Sequence, residues 1–292
     1  MRLLFRLLAR LPLRLNHALG AGMGRMVWYL APRYRHRALE NLGASGLATD
    51  RASMTRLART NAAEIGKGAT ELAWALFRPG DAAARVVARE GWDAVERLRA
   101  AKRPILFVTP HLGSYDVAGR YLWQHLPILA MYRPHKIAWI DALLREGRNR
   151  GAGADGTNVA PASLAGVRQV LRHLRAGGCT VVLPDQVPGQ GEGEWVDFFG
   201  RPAYTMTLVA RLQQATDAAI VFCYARRLPR GEGYVMVLRE MEGALPGDRT
   251  AAARRVNLEV EKLVRECPGQ YLWGYNRYKR PAGAPPPPEP AR

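Results

Sequence analysis

The stretch Arg103–Gln124, RPILFVTPHLGSYDVAGRYLWQ, restricts the fold more than any other part of the chain. Ile105 to Thr109 is a short apolar run with β-branched members, bounded by two prolines, and has the length and composition of a buried strand. Gly113 and Ser114 follow, and Ser114 is suited to cap a helix reaching about Gln124. His111 therefore falls in the loop between a strand and a helix, and Asp116 in the first turn of that helix. Corners of this kind in α/β sheets are where ligand sites form. Further strands are predicted at Pro127–Met131, Cys179–Leu183, Ala218–Tyr224 and Tyr234–Arg239. Helices are predicted over Glu90–Ala100, from about Lys136, over Val167–Leu174, within Arg201–Gln214 opened by Tyr204, Thr205 and Thr207, and from Asp248 to about Glu266.

Residues five apart on a continuous helix point in different directions, but a loop can fold the His111 ring back onto the Asp116 carboxylate. Asp116 then fixes the tautomer and stabilises the imidazolium, while the other ring nitrogen faces outward as a general base. A base that deprotonates an acceptor hydroxyl directly needs no Ser, Cys or Lys nucleophile. The plainer alternative is a loop histidine beside a helix-capping aspartate, because H-x4-D fixes only two residues.

At 292 residues the chain can bury a sizeable core, and its 48% hydrophobic content is ordinary. Its net charge of +18 is not, and implies a polyanionic partner: nucleic acid, an anionic membrane, phosphorylated lipid or an acidic carrier protein. The first 39 residues hold eight arginines and no acidic residue. Arg2, Arg6, Arg10 and Arg14 recur every four positions, leucines fill the other side, and Pro12 interrupts the helix. Leu15–Ala31 is largely apolar but is broken by glycines and Arg25, too short for a membrane span and too basic for a good signal peptide. Residues 1–31 read as an interfacial anchor, with leucines in the acyl region, arginines on anionic headgroups, and Trp28 and Tyr29 near the interface. The alternative is an amphipathic helix packed on its own domain. Cys179, Cys223 and Cys267 form no CxxC pair and no cluster with histidine, so they read as reduced thiols, and neither a metal nor a cofactor is expected.

Other candidates are weaker one by one. Thr49 or Asp50 can cap a long helix that ends at Pro79-Gly80, on which Asn61 and Glu64 read as a solvated face. The cluster Arg145, Arg148, Arg150 can bind phosphate or carboxylate bidentately, or simply complement a helix dipole. Asp185 stands at the end of a strand, as a site residue or a turn aspartate. Trp195, Phe198 and Phe199 are either one wall of an acyl slot or core. The tail beyond Pro281, AGAPPPPEPAR, reads as disordered or polyproline II.

Taken in order, the blocks His111-Leu-Gly-Ser-Tyr-Asp116, Tyr132-Arg133-Pro134, Gly147-Arg148-Asn149-Arg150, Leu183-Pro184-Asp185-Gln186-Val187-Pro188, Phe198-Phe199-Gly200-Arg201-Pro202-Ala203 and Tyr271-Leu272-Trp273 carry a resemblance. The chain resembles the late acyltransferases of lipid A biosynthesis, the lauroyl/myristoyl transferase family, and more widely the glycerolphosphate and lysophospholipid acyltransferases. The resemblance runs from the N-terminus to about Arg280. It implies an α/β fold with a mixed central sheet flanked by helices, on the cytoplasmic face of the inner membrane. It implies transfer of a fatty acyl chain from acyl carrier protein to a hydroxyl of an acylated, phosphorylated glucosamine disaccharide.

In that reading His111 is the base and Asp116 its orienting carboxylate. Arg133, Arg148 and Arg150 hold phosphate or position the acceptor, and Asp185 shapes the site. LPDQVP stands where the lysophosphatidate enzymes have an FPEGTR-like stretch, which argues against a simple glycerolipid acceptor. Backbone N–H groups at the helix start near Gly113 to Tyr115, with Gly113 and Ser114 foremost, are candidates for an oxyanion site, and transfer without an acyl-enzyme is expected. The domain reading is an anchor over 1–31, an acyltransferase domain over 32–280 and a free tail over 281–292. The competing readings are an acyltransferase for another glycolipid or glycerolipid, and a basic nucleic-acid- or membrane-binding protein without catalysis. Nucleic acid is disfavoured because the arginines concentrate on an apolar N-terminus and no stacking-aromatic motif is present.

Overall fold

The computed structural model describes residues 2–132, 139, 141–142, 144, 159–189 and 192–288. Arg133, Arg148 and Arg150 lie outside the described residues. Among the described residues seven strands form the central sheet: β1 (Val86–Glu90), β2 (Ile105–Val108), β3 (Ile128–Tyr132), β4 (Val159–Pro161), β5 (Cys179–Val182), β8 (Ala219–Arg227) and β9 (Tyr234–Glu240). Their order is β1-β9-β8-β2-β5-β3-β4, and every pair is parallel except β8–β9. The sheet is therefore mixed, with β2 inside it between β8 and β5.

Side-chain alternation in β2 supplies both faces of the sheet. Leu106 and Val108 point into one core, shared with helices α8 (Leu164–Arg175), α9 (Leu208–Thr216) and α10 (Arg249–Glu266). Ile105 and Phe107 point into the other, against α6 (Trp92–Ala100) and α7 (Tyr115–His125). The Asp248 side chain caps α10 by accepting the Ala251 N–H at 2.8 Å.

Four strands among the described residues depart from expectation, the short β4 among them. Val86–Glu90 is a strand, largely exposed and without the apolar signal that marks β2. Arg201–Met206 is also a strand, β7, paired with β6 (Gly193–Phe198), and the helix α9 opens only after Thr207. The turn between them is Phe199-Gly200, with φ of 49° and 72°. Both central residues have positive φ, as a two-residue hairpin requires, but the first is Phe where Asn or Asp is usual. Phe198 and Phe199 lie in the core with Tyr271 and Trp273. Trp195 lies over Tyr204 and donates to the Pro285 carbonyl, and Ala284 in the proline-rich tail is buried.

The N-terminal helices are α1 (Arg2–Leu8), α2 (Leu13–Leu30), α3 (Pro32–Ser45) and α4 (Arg51–Phe77), with a short α5 (Pro79–Ala84) after them. Asp50 opens α4 in a capping box with Ser53. Helix α2 runs antiparallel to α4 at close range. A methyl added at Gly24 would meet the Ala62 carbonyl at 1.9 Å, and one at Gly66 the Gly20 carbonyl at 2.0 Å. Trp28 packs into this core rather than at a surface. On the opposite side of α2, Leu15, Leu19, Met23, Met26 and Leu30 are exposed at helical spacing.

A buried ionic cluster ties this helical layer to the sheet. Glu71 accepts Arg227 Nε at 2.7 Å and Nη2 at 2.8 Å, sits 2.6 Å from His17 Nε2, and accepts the Tyr234 hydroxyl at 2.9 Å. Burial opposes the charged Glu71, but Arg227 and the His17 contact overcome it and hold the carboxyl well below its usual range. Asn61, expected on a solvated face, is fully buried and donates to the carbonyls of Gly269 and Tyr271. It thereby fixes the segment that closes over the β2 corner.

Candidate active site

Strand register assembles the site. Val108 of β2 pairs with Val182 of the adjacent parallel β5. Three residues beyond each stand His111 and Asp185, so equal offsets past paired strand ends bring them face to face. Asp185 Oδ1 lies 2.8 Å from His111 Nδ1, and its Oδ2 accepts the His111 backbone N–H at 2.9 Å. One carboxylate thus holds both the ring and the main chain of a single residue. The Asp185 side chain is 3% exposed and that of His111 12%.

The carboxylate on Nδ1 is therefore Asp185 and not Asp116. Asp116 does stand in the first turn of α7, and its charge acts on both His111 and Tyr115. The contact to Asp185 crosses the sheet, so spacing within one block does not reveal it. Burial opposes charging of His111, but the charge and hydrogen bond of Asp185, with a smaller effect of Asp116, raise its pKa above that of an ordinary histidine. Burial also penalises ionised Asp185. His111 and the nearby Arg277 outweigh that and hold the Asp185 pKa low.

The loop that carries His111 is pinned on every side. Leu272 N–H donates to the His111 carbonyl at 3.0 Å, Gly113 N–H to the Gln270 carbonyl at 3.1 Å, and Ser114 N–H to the Ala225 carbonyl at 2.8 Å. The Gly113 and Ser114 amides are thus engaged within the fold, which corrects their assignment as oxyanion donors. Gly113 has φ of +61°, and a Cβ there would sit 2.2 Å from the Ala225 carbonyl oxygen. Only glycine fits this approach of loop to strand. Ser114 occupies the N-cap position of α7, but its side chain makes no capping bond.

On the other side of the ring, Gln186 Nε2 is 3.0 Å from His111 Nε2. A side-chain NH2 only donates. In this arrangement Nε2 is the acceptor, and Nδ1 carries the proton that it donates to Asp185. Nε2 is the nitrogen that a general base needs bare. His111 and Gln186 together open onto a groove of about 550 Å³ whose apolar lining includes Met131, Val167, Met206 and Leu208. Among the described residues there is no group of three or more His, Cys, Asp or Glu side chains placed to hold a metal ion.

The model of the bacterial lipid A biosynthesis acyltransferase family matches residues 2–280. The chain belongs to that family. It is an acyltransferase. It is similar to the lipid A biosynthesis lauroyltransferase of Escherichia coli (strain K12), 27% identical over 282 residues, which are 96% of this chain and 90% of the relative. The palmitoleoyltransferase of the same strain is 27% identical over 268 residues, 91% of this chain and 85% of its own length. The myristoyltransferase is 25% identical over 270 residues, covering 91% and 81%.

Two residues of this family member carry more of the site than their sequence context signals. Arg277 is buried, donates to the Tyr204 carbonyl and the Thr205 hydroxyl, and supplies positive charge to Asp185. Gln186 reaches His111 Nε2. The sequence signal for Gln186 was only its place beside Asp185 in LPDQVP.

Proposed function

We propose that His111, oriented by Asp185, deprotonates a hydroxyl of an acylated, phosphorylated glucosamine lipid as that hydroxyl attacks a fatty-acyl thioester on acyl carrier protein. The observation that carries this reading is the polarity of the His111 ring. Nδ1 faces a buried carboxylate, and Nε2 faces a groove with apolar walls. A thioester is already activated, so one base suffices and no acyl-enzyme forms. Asp116 adds a second negative charge that favours the imidazolium from further away. The groove takes the acyl chain along Met131, Val167, Met206 and Leu208. Arg133, Arg148 and Arg150 are the proposed phosphate ligands of the acceptor.

The same reading places the enzyme on the cytoplasmic face of an anionic inner membrane. No helix among the described residues is long and apolar enough to cross a bilayer. The exposed stripe Leu15, Leu19, Met23, Met26 and Leu30 instead favours α2 lying in the interface, apolar side down. Leu3, Leu4 and Leu7 of α1 are also exposed, and Arg6, Arg10 and Arg78 border a cleft of about 590 Å³ suited to headgroup phosphates. The net charge of +18 would draw both the acidic donor protein and the anionic acceptor.

The test is purified protein with lauroyl-carrier protein and the phosphorylated disaccharide acceptor. The expected result is an acceptor heavier by one lauroyl group, with no acyl adduct on the intact protein by mass spectrometry. A His111-dependent covalent acyl-protein that passes its chain to acceptor would overturn the direct-transfer mechanism. Transfer to glycerolipid in preference to the disaccharide would favour the alternative acceptor class.

A further inference from the structure

The base in this site is blocked. His111 Nε2, the nitrogen that must meet a substrate hydroxyl, is occupied at 3.0 Å by the side-chain amide of Gln186. Of the backbone candidates for stabilising a developing oxyanion, the amides of Gly113 and Ser114 are held by the Gln270 and Ala225 carbonyls. The Val187 amide is likewise bonded, to the Tyr275 hydroxyl at 3.0 Å. Among the described residues, the side-chain donor that stands at His111 Nε2 is the Gln186 carboxamide, which also lines the groove.

We infer that Gln186 is a catalytic residue of this acyl transfer, whose side-chain N–H groups donate to the thioester carbonyl oxygen as it becomes an oxyanion. The inference rests on His111 acting as the base on an acceptor hydroxyl. A hydroxyl bound to Nε2 takes the position in which Gln186 now sits, at about 2.8 Å from the nitrogen. The amide is displaced by no more than the width of that oxygen. It stays next to the carbon that the hydroxyl attacks, because that carbon lies one bond beyond the hydroxyl oxygen.

The electron and proton count closes without any other group. The hydroxyl proton passes to Nε2 as the oxygen bonds to the carbonyl carbon, and the C=O pair moves onto oxygen, where Gln186 N–H receives it. Collapse re-forms C=O and breaks the C–S bond. The leaving thiolate takes the proton back from Nε2, which yields ester, thiol and neutral His111. Asp185 stays ionised throughout and holds the imidazolium. The resting contact also has a use. The amide donates to Nε2 only while His111 is neutral, so it keeps the base in the Nδ1-protonated tautomer until acceptor arrives.

The experiment is steady-state transfer from lauroyl-carrier protein to the disaccharide acceptor across pH, for Gln186→Ala, Gln186→Asn and His111→Ala, with thermal unfolding of each. Removing one oxyanion donor lowers kcat by about 10²–10³. The expected result for Gln186→Ala is a kcat loss of that size, KM within about threefold, an unchanged acid limb in kcat, where acceptor has already displaced the amide from Nε2, and an unchanged Tm. Gln186→Asn, with a shorter reach, should remain impaired in kcat. A Gln186→Ala enzyme with wild-type kcat, or one whose defect is confined to KM or to a shift of the acid limb, would overturn the inference. His111→Ala separates the two levels. If it loses activity while Gln186→Ala keeps it, only the oxyanion role fails, and if His111→Ala stays active, the base assignment fails first. Should Gln186→Ala unfold, Gln186→Glu provides the second reading. It keeps the volume and replaces the donor with a carboxylate beside Nε2, and a folded Gln186→Glu enzyme with wild-type kcat would also overturn the role.

Discussion

Replacing Asp185 by asparagine isolates the contact on which the base depends. The side chain keeps its volume but loses its charge. It stands 2.8 Å from His111 Nδ1 and 2.9 Å from the His111 N–H, so two charge-assisted hydrogen bonds become neutral. At about 1.5–3 kcal/mol for each such bond, the fold should lose on the order of 3 kcal/mol. The catalytic loss should be larger. An asparagine that turns its NH2 toward Nδ1 selects the opposite tautomer and puts the proton on Nε2. Loss of the orienting carboxylate costs about 10⁴ in kcat, or roughly 5.5 kcal/mol of barrier.

The pH profile gives the second readout. In the wild type His111 titrates above the ordinary histidine value, so activity, which needs the neutral ring, is lost as pH falls through that raised pKa. The stability supplied by the His111–Asp185 pair runs the other way. It is full below the unfolded histidine pKa and is lost as pH rises through the folded one. Asp185→Asn removes both raising effects of that carboxylate and leaves the burial that opposes charge. The acid limb should therefore move to lower pH while the plateau collapses. Transfer assays from pH 5 to 9, beside thermal unfolding, check this. An Asp185→Asn enzyme within tenfold of wild type and with an unmoved acid limb, together with a dead Asp116→Asn enzyme, would show that Asp116 orients the ring and would refute the reasoning.

Three further outcomes follow from the packing. Gly113→Ala forces a side chain into left-handed backbone 2.2 Å from the Ala225 carbonyl oxygen. The backbone alone costs about 1–3 kcal/mol, and a drop in both Tm and kcat is expected. Glu71→Gln leaves Arg227 buried without its bidentate carboxylate, a loss of about 3–5 kcal/mol that urea denaturation would measure. Leu19→Asp with Met26→Asp alters two exposed positions on α2 and should leave Tm nearly unchanged. At about 1.5–3 kcal/mol per inserted side chain, sedimentation with anionic vesicles should weaken by about 100-fold or more, and equal binding of variant and parent would remove the interfacial reading of α2.

The buried strands and the corner after β2 were legible because an apolar run closed by Pro110 leaves few alternatives. The Asp50 and Asp248 caps were legible for a similar reason: their partners lie three residues away. What sequence could not supply is adjacency across the sheet. Asp185 meets His111 only because β5 lies beside β2 in register, and β3, α8 and their connections intervene in the chain. Spacing within a block favoured Asp116 because it sees neighbours along one segment alone. Asn61 and Trp28 were misjudged for a related reason, since the same helical periodicity fits a solvated face or a second packed layer. The β6–β7 hairpin hid behind a Phe-Gly turn that lacks the usual Asn or Asp.

The central claim is that this chain adds one acyl group to a lipid A precursor through His111. Mass spectrometry of lipid A from cells lacking the protein, complemented with wild type or His111→Ala, tests it most directly. The account predicts lipid A short of one acyl chain, restored by wild type and not by an equally abundant His111→Ala protein. Lipid A of unchanged mass in the deletion strain, or full restoration by His111→Ala, would contradict it.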